Sequence, residues 1–175
     1  MPIRSRIRTI PDYPKPGIMF RDITTLLQDP VGFRIAMERL IEPFRDMRVD
    51  KVAGIEARGF ILAGAVALDL HAGFVAIRKK GKLPFETIGA DYELEYGTDR
   101  VEVHTDAILE GERILLVDDL LATGGTALAG LQLIEAVGGD VVGTAFIVDL
   151  PDLGGSKRIR GSGHSVHTLV EYEGG

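Results

Sequence analysis

The chain has 175 residues, 45% of them hydrophobic, a formal net charge of −6 and no cysteine. That length suits a single domain able to bury about two-thirds of its unfolded surface. The acidic balance argues against a general nucleic-acid binder, and the absence of thiols removes disulfides and thiolate metal sites. The N-terminal stretch has three arginines (Arg4, Arg6, Arg8) but no apolar core of signal-peptide length. No stretch reaches the roughly 18–20 apolar residues of a membrane span. A cytoplasmic protein with neither a membrane nor a nucleic-acid partner is expected.

The predicted elements follow in chain order. Pro11, Pro14 and Pro16 forbid a regular helix and make Ile10 to Gly17 an extended arm. Asp29-Pro30 starts a helix carrying Val31, Ile35, Leu40, Ile41 and Phe44 at helical spacing. Lys51 to Ile55 reads as a strand, Gly59 to Leu70 as a mostly apolar helix and Phe74 to Arg78 as a second strand. Lys79 to Pro84 is a basic loop. Glu86 to Val103 alternates weakly around Gly89 and Gly97, as a mobile hairpin or flap would. Arg113 to Val117 is a third strand and Thr126 to Val137 its helix, closed by Gly138-Gly139. Val141 to Val148 is a fourth strand, Pro151 to Gly163 a Gly-rich basic loop and Val166 to Val170 a short last strand. Strands alternating with helices predict an α/β fold with a mostly parallel central sheet flanked by helices.

The most specific segment joins the third strand to its helix. Four apolar residues, Ile114 to Val117, run into Asp118 and Asp119, then Leu120-Leu121-Ala122 and Thr123-Gly124-Gly125-Thr126. The apolar run suits a strand covered on both faces, and ligands of open α/β sheets bind beyond the carboxyl ends of such strands, where the two aspartates are expected. Without a Cβ at Gly124 and Gly125, N–H groups from Ala122 to Thr126 can converge on an anion, helped by the helix start. Acceptor-only carboxylates suit a ribose diol. No lysine follows the glycines and no G-x-G-x-x-G spacing occurs, which disfavours a nucleoside-triphosphate motor and a dinucleotide dehydrogenase.

Three further constellations surround it. Arg58, after Glu56-Ala57 and before Gly59, is expected over the same crevice, where a guanidinium fork suits diphosphate oxygens. The plain alternative is a surface arginine paired with Glu56. Arg78-Lys79-Lys80-Gly81-Lys82 is either a phosphate-collecting loop or a solvated charge run. Phe20 beside Arg21 and Asp22 could stack on a planar base or simply fill core. Glu93, Glu95 and Tyr96 sit in the flap, where a carboxylate could move a ring-nitrogen proton or merely face solvent.

With these residues in view, the chain from about Ile10 to Tyr172 resembles the type I phosphoribosyltransferases, and among them those acting on adenine. Val117 to Thr126 resembles the phosphoribosyl pyrophosphate signature. Pro11 to Gly17, Phe20 to Ile23, Arg58-Gly59-Phe60, Arg78 to Pro84 and Leu94-Glu95-Tyr96-Gly97 resemble the accompanying segments of the adenine enzymes. The resemblance implies one domain with a hood arm at about residues 1–30 and a flap at about 83–100. It implies conversion of adenine and phosphoribosyl pyrophosphate to AMP and pyrophosphate in purine salvage. Mg²⁺ would be held through pyrophosphate and water rather than by the protein directly, and the enzyme would be a homodimer. Ala122, Thr123, Gly124, Gly125 and Thr126 would take the ribose phosphate, and Asp118 and Asp119 the ribose hydroxyls. Arg58, Arg78, Lys79 and Lys82 would meet the pyrophosphate, Arg78 reaching toward the neighbouring subunit. Met19, Phe20, Arg21 and Leu120 would hold adenine. Glu95, with Arg58, would be catalytic, and Tyr96 would close the flap. A cis peptide is implied at Glu56–Ala57. The one departure is Ala57, where the family carries serine. Competing readings are a different purine base and a non-catalytic sensor on the same scaffold.

Overall fold

The computed structural model describes residues 2–94 and 96–174. Two short strands, β1 (Arg8–Pro11) and β2 (Met19–Asp22), pair antiparallel into a hairpin apart from the main sheet. The proline arm forms its turn, with a cis Tyr13–Pro14 bond. Helices α1 (Thr24–Gln28) and α2 (Pro30–Ile41) follow; Asp29 caps α2 by accepting from the Val31 N–H, and Pro30 occupies the first turn, where a missing N–H costs nothing.

The main sheet is built from β3 (Lys51–Ile55), β4 (Gly73–Lys79), β5 (Thr87–Glu93), β6 (Thr98–His104), β7 (Arg113–Leu121), β8 (Asp140–Asp149) and β9 (Val166–Glu171). Their order is β5-β6-β4-β3-β7-β8-β9. The five strands β4, β3, β7, β8 and β9 are parallel, while β5 and β6 form an antiparallel hairpin. That hairpin, the expected flap, joins the sheet at its base, where Arg78 and Lys79 pair with Glu102 and Val101. Helices α3 (Arg58–Asp69) and α4 (Gly125–Ala136) make the crossovers.

Residues Ile114 to Val117 are fully buried. Leu115 and Val117 face the core beneath α2 and α3, and Ile114 and Leu116 face the core beneath α4. Burying each such side chain contributes about 1.5–3 kcal/mol, which fixes the register at the centre of the sheet.

Two expectations need correction. Strand β7 does not end at Val117; it runs to Leu121, so Asp118 and Asp119 lie within the strand rather than beyond it. Continued pairing with β8 as far as Leu121↔Asp149 supports the extension, whereas pairing with β3 ends at Gly54↔Val117. Residues 151–163 are not a loop either. They hold a 3₁₀ turn at Pro151–Leu153 and a helix, α5 (Gly155–Gly161). The glycines that suggest a loop serve as its entry, Gly154 at φ 85°, and fully buried Ile159 anchors the helix to the core.

Candidate active site

A hollow of about 280 Å³ opens where β3 stops and β7 continues. Its walls are Ile55 to Arg58, Lys79 and the segment Asp118 to Ala127. The first wall follows from the abrupt end of β3. The Glu56–Ala57 peptide is cis, as expected, and α3 begins at Arg58. A Cβ on Gly59 would lie 2.6 Å from Asp118 Oδ1, so only glycine lets α3 sit this close to the carboxylate.

The second wall is the Ala122–Thr126 loop. Gly124 adopts φ 87°, a left-handed conformation that disfavours a side chain, and its Cα side lies against Gly155, where a Cβ would meet Gly155 Cα at 3.0 Å. Gly125 then starts α4, so the helix's free N–H groups and positive dipole end border the hollow. The expected anion seat and both aspartates therefore share one cavity.

The two aspartates differ. Asp119 is buried and accepts from Arg58 Nε at 2.5 Å, an ion pair whose arginine side is 52% exposed. Asp118 accepts from the Asp119 N–H at 2.8 Å. Loss of water around Asp118, and then the charge of Asp119, push its carboxyl pKa well above the ordinary value. The plain alternative for Arg58, a pair with Glu56, is not what forms. Glu56 instead accepts from the Lys79 N–H and pairs with Arg78 at 3.4 Å.

The cationic run splits. Lys79 reaches the hollow, but its ammonium donates to Tyr92 Oη and Asp99 Oδ2, each at 2.5 Å. Partial burial disfavours the charged lysine, yet the bonds to Asp99 and Tyr92 outweigh this and raise its pKa. Arg78 lies over the Phe60 ring, 5.8 Å from its centroid, and Lys82 is exposed; neither lines the hollow.

The β1–β2 hairpin carries the expected base-binding residues. Met19 is exposed, and Phe20 is partly buried with its ring edge-on to Tyr13 at 5.1 Å. The Arg21 guanidinium lies 4.1 Å from the Tyr172 ring centroid and donates to Thr9 Oγ1 at 2.8 Å. Leu120 lines the hollow; Met19, Phe20 and Arg21 do not. The charge of Asp22, next to Arg21, helps in a minor way to raise the pKa of Arg58, chiefly set by the Asp119 hydrogen bond. In the flap, Tyr96 is 85% exposed, and Glu95 lies outside the described residues.

Residues 23–162 match the phosphoribosyl transferase domain. An adenine phosphoribosyltransferase of Dinoroseobacter shibae is 63% identical over 172 residues, covering 98% of this chain and 96% of that protein. One from Maricaulis maris is 59% identical over 99% of both. The chain belongs to the adenine phosphoribosyltransferases, within the phosphoribosyltransferase family. The crystal structure of the Rhodothermus marinus adenine phosphoribosyltransferase superposes with a TM-score of 0.92 at 52% identity, over 97% of this chain and 96% of that one. The Saccharomyces cerevisiae enzyme, solved with an iminoaltritol bisphosphate and adenine, gives 0.90 at 34% identity, over 96% of both chains.

Sequence reasoning missed the support behind the Ala122–Thr126 loop. The Gly155 N–H donates to the Ala122 carbonyl at 2.9 Å, and Arg158 Nη1 donates to the Thr123 carbonyl at 2.7 Å. The available signal was Ser156 and Ile159 within the supposed loop: the spacing of one turn places both on the buried face of a short helix.

Proposed function

We propose that the hollow between β3 and β7 is where the phosphoribosyl group passes from phosphoribosyl pyrophosphate to adenine, giving AMP and pyrophosphate. The observation that carries the reading is the meeting of a glycine loop, a helix start, two carboxylates and an arginine in one cavity of about 280 Å³. Main-chain donors of Ala122 to Thr126 and the threonine hydroxyls seat the 5-phosphate. Asp118 and Asp119 accept from the ribose hydroxyls and face the positive charge that builds on the sugar. Arg58 is half exposed, so its guanidinium can exchange Asp119 for a diphosphate oxygen as the leaving group gains charge. Lys79, Arg78 and Lys82 complete the diphosphate's surroundings. Phe20 stacks on adenine, the backbones of Met19 and Arg21 read its edge, and Leu120 packs beneath.

In the reaction the bond from the anomeric carbon to the diphosphate oxygen breaks and a bond to the adenine ring nitrogen forms. The proton of that nitrogen leaves, and Glu95 is the residue proposed to handle it. Closure of the β5–β6 hairpin, with Tyr96 at its tip, would exclude water and prevent hydrolysis. Among the described residues no group of three or more His, Cys, Asp or Glu is poised to cage a metal ion. Mg²⁺ would arrive with the diphosphate and water, and the carboxylates of Asp118 and Asp119, which line the hollow, are oxygen donors of the kind that ion accepts. Bound there, Mg²⁺ supplies charge neutralisation of the leaving group.

The deciding assay is AMP formation from adenine, phosphoribosyl pyrophosphate and Mg²⁺. No AMP under any reasonable condition would reject the proposal. Competition with guanine, hypoxanthine and xanthine tests the base, because a site paired to an exocyclic amino group leaves buried groups unpaired against a carbonyl. The proposal extends to a homodimer in the cytoplasm. Exposed Ile61 and Leu68, two turns apart on α3, and exposed Phe74 offer a partner apolar surface. Sedimentation of Leu68→Glu against the parent protein tests this, with monomer expected for the variant. Among the described residues, no helix is long and apolar enough to cross a membrane.

A further inference from the structure

We infer that Arg158 is a positioning residue for the ribose-phosphate seat, acting through the Thr123 carbonyl from outside the hollow. The inference rests on the reading of Ala122 to Thr126 as that seat. Arg158 projects from α5, is exposed, and does not line the 280 Å³ hollow. Its Nη1 donates to the Thr123 carbonyl oxygen at 2.7 Å.

A loop that binds an anion must present N–H groups and turn its carbonyls away. The Thr123–Gly124 peptide is trans, so its C=O and N–H point in opposite directions. Holding the Thr123 oxygen against a guanidinium therefore fixes the Gly124 N–H on the opposite side of the loop from Arg158. Gly124, at φ 87°, adopts the left-handed turn that carries the chain from this peptide into α4, a conformation that a side chain would disfavour. The cation also polarises the peptide it holds, which strengthens the N–H as a donor.

The helix that carries Arg158 has a firm footing. Ile159 is fully buried in the core that includes Leu121 and Phe146, and Ser156 is buried beside it. The Gly155 N–H is tied to the Ala122 carbonyl, and a Cβ on Gly155 would come within 2.5 Å of that oxygen and 2.9 Å of Gly124 N. Helix α5 thus touches three consecutive loop residues by backbone contact or a charged hydrogen bond. Arg158 lines a second hollow of about 850 Å³ together with Thr123, Gly125 and Thr126 of the loop and Tyr92, Glu93 and Leu94 of the hairpin, which leaves room for the guanidinium to keep this posture.

The test is steady-state kinetics of Arg158→Met, which retains the apolar stem and removes the donors. The expected result is a KM for phosphoribosyl pyrophosphate raised about tenfold, the scale of one charged hydrogen bond. The KM for adenine and the melting temperature should stay near those of the parent protein. Arg158→Lys should recover part of the loss, since an ammonium can reach the same carbonyl. Calorimetric titration with ribose 5-phosphate should weaken in the same order. An unchanged KM for phosphoribosyl pyrophosphate overturns the inference. So does a joint loss of kcat, both KM values and melting temperature that lysine does not rescue, because that marks a mere structural contact. Gly125→Val serves as the control for the seat itself. If it binds phosphoribosyl pyrophosphate normally, the functional reading falls; if it is impaired while Arg158→Met is normal, only the role of Arg158 falls.

Discussion

Strands β3 and β7 lie side by side, and each leads into a helix that begins at or beside a glycine, β3 through the charged turn at Glu56 and β7 through the uncharged Ala122–Gly124. Yet β3 stops at Ile55, while β7 continues four residues past its last pairing with β3. Strand β8 follows β7 to the end, so the extension keeps a hydrogen-bonded edge on one side and leaves the other open. Where β3 stops, the start of α3 contributes a half-exposed guanidinium, Arg58; the overrunning end of β7 contributes two acidic side chains, and the glycine loop follows it. Two similar local motifs thus supply opposite charges to one site because neighbouring strands end at different heights.

The largest effect should come from the link across that step. Asp119→Asn is expected to lower kcat/KM by about 100-fold or more, the scale of removing one preorganised polar group from a transition state. It should cost no more than about 1 kcal/mol of stability, because the Arg58 side of the ion pair is already half in water. Urea unfolding beside initial rates measures both. Unfolding of the variant at ordinary temperature would show that the pair holds the step together rather than serving the substrate.

The glycine loop can be divided in the same way. Gly124→Ala combines a positive φ with a contact at 3.0 Å and should destabilise by about 1–3 kcal/mol. At Gly125 a Cβ would meet nothing nearer than 3.8 Å, so Gly125→Ala should fold normally and lose substrate affinity alone. Equal stability losses in the two variants would remove the distinction between a turn glycine and an approach glycine.

Carboxylates of the hairpin and of the step should respond to pH with opposite signs. Bonds from Thr24 and then Arg8 hold the Asp22 pKa down to about 2. Its stabilisation, about 2 kcal/mol by linkage, should be complete above pH 4 and disappear as pH falls through 2. Asp118 is shifted upward by burial and by Asp119, so its ionisation costs the folded state at neutral pH. Asp118→Asn should therefore stabilise the fold at pH 7, with the gain vanishing in acid, while Asp22→Asn destabilises at pH 7 and not near pH 2. Melting temperatures across pH 2–8 read both. The smallest change belongs to Lys82→Ala: this exposed cation should alter the KM for phosphoribosyl pyrophosphate only a few-fold, more at low ionic strength than at high. A large, salt-independent effect would put Lys82 inside the site.

Much of the fold was legible because its signals are local. The buried run Ile114 to Val117 announced a two-sided strand, Asp29-Pro30 a helix start, and Lys51 to Ile55 a strand whose limits the structure repeats. The left-handed turn at Gly124 and the helix start beside it could be read from the glycines alone. What failed did so for nonlocal reasons. The glycines of residues 151–163 outweighed two buried positions, and no local pattern could show that Arg78 and Lys79 would take internal partners among Glu56, Asp99 and Tyr92.

Sequence by itself therefore determined most of the alternating strands and helices, since hydrophobic period, proline and glycine act over a few residues. Tertiary structure decided that β7 overruns β3, that Arg58 meets Asp119 rather than Glu56, and that α5 backs the Ala122–Thr126 loop. Each of these joins residues distant along the chain, and such contacts form only where register and burial of the whole sheet allow them.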